Sequence, residues 1–248
     1  MSSQEKIYTI PVNDAFAAEG DLCPLCRLRA TVEEQLLDYY LGPSLMEPDV
    51  REESNAKGFC REHLQAMYNS QKNRLGLGLM LHTHLKAQKE VLLGGLEGLA
   101  NPSPKSFWQR KTTGMSPKEV ATQLRQTAQS CLICERLDST MARYVEVICW
   151  QYFHDEGFRQ RFLEAAPFCT EHLALLIEGA ERHLKSKEQL AFWHDLHQKQ
   201  SKQLQSLTEE VEWFTLKFDY RNEDKPWGNS KTAVARAIQT LEGRSELH

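Results

Sequence analysis

Eight residues of this chain have the types and spacings of metal ligands. Cys23 and Cys26 stand as CPLC, and Cys60 and His63 follow as CREH. Further along, Cys131 and Cys134 stand as CLIC, and Cys169 and His172 follow as CTEH. The chain thus writes CxxC, a spacer, then CxxH, twice. Cys60 follows Cys26 by 34 positions and Cys169 follows Cys134 by 35. The words around the second pairs also match, GFCREHL at 58–64 and PFCTEHL at 167–173. Three thiolates and one imidazole are a standard tetrahedral set for a structural zinc ion. A CxxC turn brings two sulfurs to one cation, and CxxH on a helix places Cys and His as i,i+3 neighbours.

Two other occupants or roles compete. An iron–sulfur cluster is also held mainly by thiolates, but the His in each set and the lack of a compact multi-cysteine run favour Zn²⁺. Buried cysteines often serve as small apolar fillers, yet core packing asks for no His three residues after a Cys. Spacing leaves the pairing open. Each half could close its own site, CxxC of one half could join CxxH of the other, or all eight groups could meet in a two-metal site.

Other candidates carry less chemistry. His82 and His84 point to different sides of a helix, and His194 and His197, although i,i+3, lack a further ligand. No Glu stands three residues before any His, which counts against a di-iron carboxylate bundle. Cys149, between Ile148 and Trp150, reads as an inert buried thiol. Glu62 and Glu171 each precede a ligand His and would be the bases of an open metal site; an exposed helical Glu is the plainer reading. There is no G-x-x-x-x-G-K-[ST], G-x-G-x-x-G or G-x-S-x-G. No catalytic residue emerges, so the sequence leans away from an enzyme.

The elements that must position these groups read as helices. Leu28, Val32, Leu36 and Tyr40 recur at i+4 up to Gly42-Pro43. A turn or short helix follows at 46–51, then a helix carrying Cys60, His63 and Met67. Residues 139–153, a turn near Asp155–Gly157 and a helix opened by Phe168 repeat the scheme. On 73–92, Leu77, Leu81, Leu85 and Leu92 share a face, and Gly76 and Gly78 would permit close packing. Ser116-Pro117-Lys118-Glu119 predicts a capped helix start. From Lys187 to Asp219, Leu190, Trp193, His197, Gln200, Leu204, Leu207, Val211, Phe214 and Phe218 step by 3 and 4, a heptad seam interrupted by His197 and Gln200. In the tail, Asn229-Ser230 would cap a last helix with Val234, Ala237, Ile238 and Leu241. Arg221, Lys225 and Trp227 could bind an anion or a partner, or form a loop tied down by its aromatics.

The expected fold is mostly α: duplicated helical-hairpin repeats with Cys/His metal sites, plus a long C-terminal heptad helix. The expected divisions are 1–100 for the first repeat, 101–117 for a linker, 118–185 for the second repeat, and 186–248 for the long helix and cap. The 190–218 seam offers a homodimer or protein-partner surface; packing on the chain's own helices is its alternative. Charge excludes little: 30 Lys+Arg against 34 Asp+Glu leave −4, with no general pull towards nucleic acid or an anionic membrane. The N-terminal residues show no apolar signal, and the longest greasy run, 75–81, is too short to span a bilayer. A soluble cytoplasmic protein is expected, where thiols stay reduced and paired cysteines suggest metal or redox chemistry.

The runs IYTIPVNDAF, CPLC, LGPSLMEPDVR, GFCREH, NRLGLGLMLHTHL and KFDYRNEDKPWGNS resemble an uncharacterised bacterial family, a domain of unknown function spanning nearly the whole chain. That resemblance implies a relative and no activity. The function expected from the residues is a zinc-binding interaction or adaptor module stabilised by two Cys₃His sites. A thiol-based redox or metal sensor, and a metal-dependent enzyme or iron–sulfur protein, are the alternatives.

Overall fold

The structure is a computed structural model that describes residues 3–100 and 115–244. Among the described residues there are eleven α-helices and no strand. In order they are α1 Ser3–Ala17, α2 Pro24–Leu41, α3 Pro48–Lys57, α4 Arg61–Ser70, α5 Arg74–Ala100, α6 Pro117–Gln129, α7 Leu132–His154, α8 Glu156–Glu164, α9 Thr170–His183, α10 Ser186–Leu216 and α11 Ala233–Glu242. No described helix is long and apolar enough to cross a membrane. Most of the expected linker, 101–114, lies outside the described residues.

The chain packs as two compact units, Met1–Val32 with Asp138–His248, and Glu33–Leu137. In the first, an aromatic core gathers Phe16, Tyr152, Phe158, Phe162, Phe168 and Phe192. Phe16 lies 5.1 Å from Phe158 and Tyr152 lies 4.9 Å from Phe192, both edge-on, as ring quadrupoles favour. Helix α9 passes close to α7 because residue 179 is glycine: a Cβ there would stand 2.0 Å from Val145 Cγ1. In the second unit, Tyr40, Leu41, Val50, Met67, Leu77, Met80, Leu132 and Ile133 form the core.

Several helix boundaries follow from local chemistry. Ser116 caps α6 by accepting from the Glu119 amide, while the Glu119 carboxylate accepts from the Ser116 amide, the expected capping box. Asp155 caps α8 through the Phe158 amide. Helix α1 has no counterpart in the sequence reading. Pro11 falls inside it, where its missing amide reads as a break, yet Val12, Ala15 and Phe16 are buried on one face and packing decides.

Two apolar rows and one cap resolve differently from expectation. On α5, Leu77 is buried but Leu85 and Leu92 are exposed. The inward row is Gly76, Leu77, Met80 and Gln88, against α3. Gly76 admits Leu45, whose Cδ1 would lie 2.4 Å from a Cβ, whereas Gly78 faces open space. On α10 the inward row is Phe192, Leu196, Lys199, Gln200 and Leu207, packed on α8, α9 and α11, while Leu190, Leu204 and Phe218 of the expected seam are exposed. The last helix begins at Ala233 after a 3₁₀ turn over Gly228–Thr232, so Asn229-Ser230 is not its cap. The segment before it is tied down: buried Lys217 donates to the carbonyls of Asn222, Glu223 and Lys225, and its ammonium sits 5.1 Å over the Trp227 ring.

Candidate metal centres

All eight predicted residues converge, four and four. Cys23, Cys26, Cys169 and His172 form one group, and Cys60, His63, Cys131 and Cys134 the other. Within each, every candidate ligand atom lies within 4.8 Å of the rest. The pairing is crossed: CxxC of each half meets CxxH of the other. The Cys23 centre lies in the first compact unit and the Cys60 centre in the second.

One local device is used four times. Cys23, Cys60, Cys131 and Cys169 each stand just before a helix, α2, α4, α7 and α9. Each gives its carbonyl to the amide four residues on: Arg27, Leu64, Glu135 and Leu173. That is the N-cap position, extended at Cys60 and Cys169 and followed by helix. The second member of each pair then falls at the third helical residue, so both side chains converge beside the helix N-terminus. Each centre therefore lies between two helix N-termini, α2 and α9 or α7 and α4. Each terminus carries about half a positive charge, which favours thiolate.

Distances agree between the centres. In the first, His172 Nδ1 lies 3.7, 3.3 and 3.2 Å from the sulfurs of Cys23, Cys26 and Cys169, and Cys26 Sγ lies 3.7 Å from Cys169 Sγ. In the second, His63 Nδ1 lies 3.1, 3.3 and 3.4 Å from those of Cys60, Cys131 and Cys134, and Cys60 Sγ lies 3.9 Å from Cys134 Sγ. Both histidines turn Nδ1 inward. His63 Nε2 faces Glu33 Oε1 at 3.3 Å; His172 Nε2 is buried with no hydrogen-bond partner among the described residues.

The proton affinities show what such crowding does. Thiol hydrogen bonds from Cys23 and Cys26 hold Cys169 far below the ordinary thiol range. Hydrogen bonding to Cys169 and Cys23, with burial, pushes Cys26 far above it. Burial resists ionisation of Cys131, yet hydrogen bonds from His63 and from the Cys60 and Cys134 amides bring it down to about 6. Burial also opposes charge on both imidazoles, but Cys131 and the Glu33 carboxylate lift His63 to about 10, and Cys169 and Cys23 lift His172 to about 9. Without a cation these groups share protons among themselves; ligation would need every thiol deprotonated and both imidazoles neutral, so a bound cation would displace those protons.

The Phe of each Phe-Cys word anchors its knuckle. Phe59 packs edge-on against Tyr40 at 5.3 Å, and Phe168 lies 5.2 Å from Phe162. Two further residues hold the second knuckle, one of them the Gln200 that interrupts the heptad seam. Gln200 accepts from the Phe168 amide at 3.2 Å and donates to the Phe168 carbonyl at 2.7 Å. Lys199 donates to the carbonyls of Ala165 and Ala166 and to Gln203. Polar residues at inward positions of a helix are the available signal for such clamps.

A family described as one of unknown function, DUF6062, matches residues 3–248. The chain belongs to that DUF6062 family. No curated protein matches it, and no solved structure does. Family membership therefore assigns no chemistry, and the geometry must supply it.

The remaining candidates stay outside both groups. Glu62 and Glu171 are exposed, and Glu171 pairs with Arg29 at 3.7 Å. His194 and His197 are exposed and hydrogen-bond Gln198 and Ser201. His84 Nδ1 contacts the Asn55 carbonyl at 2.9 Å, and His82 is exposed. Cys149 is fully buried and its thiol is pushed up to about 12 by that burial. Arg221 is engaged by Asp219.

Proposed function

We propose that the protein is a cytoplasmic zinc-binding interaction module, with two Cys₃His centres that lock its helices in place. One observation carries the reading: each four-ligand group has the dimensions of a single tetrahedral ion. Zinc–sulfur bonds of about 2.3 Å and zinc–nitrogen bonds of about 2.05 Å at tetrahedral angles require sulfur–sulfur gaps near 3.8 Å and sulfur–nitrogen gaps near 3.5 Å. The Cys26–Cys169 and Cys60–Cys134 sulfur gaps of 3.7 and 3.9 Å match, the sulfur–nitrogen gaps of 3.1–3.7 Å bracket the value, and all ligand atoms of each group lie within 4.8 Å of one another. An iron–sulfur cluster interposes its own iron and sulfide atoms and would hold the cysteines further apart.

Three thiolates and a dication leave each centre with one net negative charge, which two helix N-termini oppose. Four protein ligands fill a tetrahedral zinc, and a filled site is structural; catalytic zinc keeps a position for water. Zinc would supply folding free energy on the order of 10 kcal/mol. The thiols must be reduced to ligate, which fits a reducing compartment. Binding surface is available in the exposed apolar side chains Leu75, Leu85 and Leu96 of α5, and Phe218 and Tyr220 after α10.

Metal analysis of untagged protein, with an absorption spectrum, tests the reading. Two colourless zinc ions per chain, with chelation lowering the melting temperature, are expected. Visible absorption from iron and sulfide, or metal-free protein that folds normally and ignores chelators, overturns it.

A second reading, a thiol-based redox sensor, is favoured by the unequal burial of the two centres.

A further inference from the structure

The two centres match in ligand set and differ in cover. Cys23, Cys26, Cys169 and His172 are all buried. The turn that ends α11 closes over them: a Cβ on Gly243, whose φ of 83° suits glycine, would stand 3.6 Å from both Cys26 Sγ and Cys169 Sγ. In the other centre Cys131 and His63 are buried, but Cys60 and Cys134 are partly open to solvent. The Sγ atoms of these two half-buried residues are 3.9 Å apart, Cys60 standing at the cap of α4 and Cys134 in the first turn of α7.

We propose that Cys60 and Cys134 are the oxidation site of the protein. A peroxide would join them as a disulfide and expel the metal from that centre, while the Cys23 centre keeps its own. The inference rests on the reading that zinc fills both centres. Oxidation needs a thiolate that the oxidant can reach, and zinc-bound thiolate meets the first condition in both centres. Access therefore decides, and only the second centre offers it.

The step balances as follows. One thiolate attacks the peroxide: an S–O bond forms, the O–O bond breaks, and the departing oxygen leaves as water with one proton. The other thiolate then attacks the resulting sulfenic sulfur: the S–S bond forms, the S–O bond breaks, and a second water leaves with a second proton. The two sulfurs lose two electrons and the peroxide gains them. The sulfurs must close from 3.9 Å to about 2.05 Å, a movement of about 1.9 Å. The zinc, left with Cys131 and His63, departs as Zn²⁺.

The test treats zinc-loaded full-length protein with hydrogen peroxide, follows zinc release with a chromogenic chelator, and maps disulfides by peptide mass spectrometry. One zinc of two should leave at least about tenfold faster than the other, in step with a Cys60–Cys134 disulfide. Simultaneous release of both ions, earlier release from the Cys23 centre, or a Cys131–Cys134 disulfide with Cys60 still free would overturn it. Metal content before treatment separates the two claims, because protein that never held zinc refutes the zinc reading by itself. A maleimide supplies a probe that needs no variant: Cys60 and Cys134 should be labelled first in the loaded protein, and first labelling at Cys23, Cys26 or Cys169 counts against the proposal.

Discussion

Replacing Gln200 by Leu removes no ligand and should still weaken one metal centre. Gln200 is 6% exposed and holds both main-chain groups of Phe168, the residue before Cys169. Leucine has nearly the same size, so cavity formation contributes little. It leaves one buried amide and one buried carbonyl unpaired, each costing about 1–3 kcal/mol. With partial relaxation the loss is about 3 kcal/mol, and at about 2–4 °C per kcal/mol for a chain of this size the melting temperature falls by about 6–12 °C. The loosened knuckle should lower zinc affinity at the Cys23 centre by about 10–100-fold, as lost outer-shell support typically does. The assay is competition with a zinc chelator of known affinity, which resolves two binding steps per chain. Gln200→Glu separates the two contacts, since it keeps an acceptor for the Phe168 amide and turns a second acceptor on its carbonyl; it should be no better than Leu. Unchanged affinities, or equal weakening of both centres, would refute the idea that Gln200 positions Cys169.

Paired ligand removals test the crossed pairing directly. A Cys26→Ser/His172→Gln variant should lose one zinc per chain, and Cys26→Ser/His63→Gln should lose both; pairing within halves predicts the reverse, read by metal analysis of folded protein. Glu33→Gln removes the carboxylate facing His63 Nε2 and should weaken the Cys60 centre alone by about 10-fold or more in the same competition assay. Gly179→Ala drives a methyl into Val145 and should cost about 1–3 kcal/mol in chemical denaturation, with Val145→Ala recovering much of it. Cys149, buried and with its thiol raised to about 12, should resist alkylation until the protein unfolds, and modification in native protein would contradict its burial.

The chemistry of the site was legible in the sequence because ligation fixes residue types and short spacings. CxxC and CxxH at helix starts name their eight atoms without reference to the fold. Partner choice was not legible, since offsets of 34 and 35 positions make the two halves equivalent and only packing breaks the tie. The helices α2 and α10 announced themselves by apolar period, and α7 by its place in the repeated scheme. The inward face of α10 did not, because Lys199 and Gln200 point inward to hold carbonyls and an amide while Leu190 and Leu204 remain outside. A hydrophobic count assigns those positions the wrong way round. Helix α1 was hidden by Pro11, whose local cost is outweighed by burial of Val12 and Phe16.

The crossed arrangement also sets a schedule for biosynthesis. The Cys60 centre is enclosed in sequence between the two arms of the other, so its last member, Cys134, leaves the ribosome 38 residues before His172. At translation rates of about 5–20 residues per second that is a lead of about 2–8 s. During that interval Cys23 and Cys26 wait on a nascent chain with no mate, and a truncated product ending before Cys169 would carry one complete ligand set and one pair of cysteines without its partners.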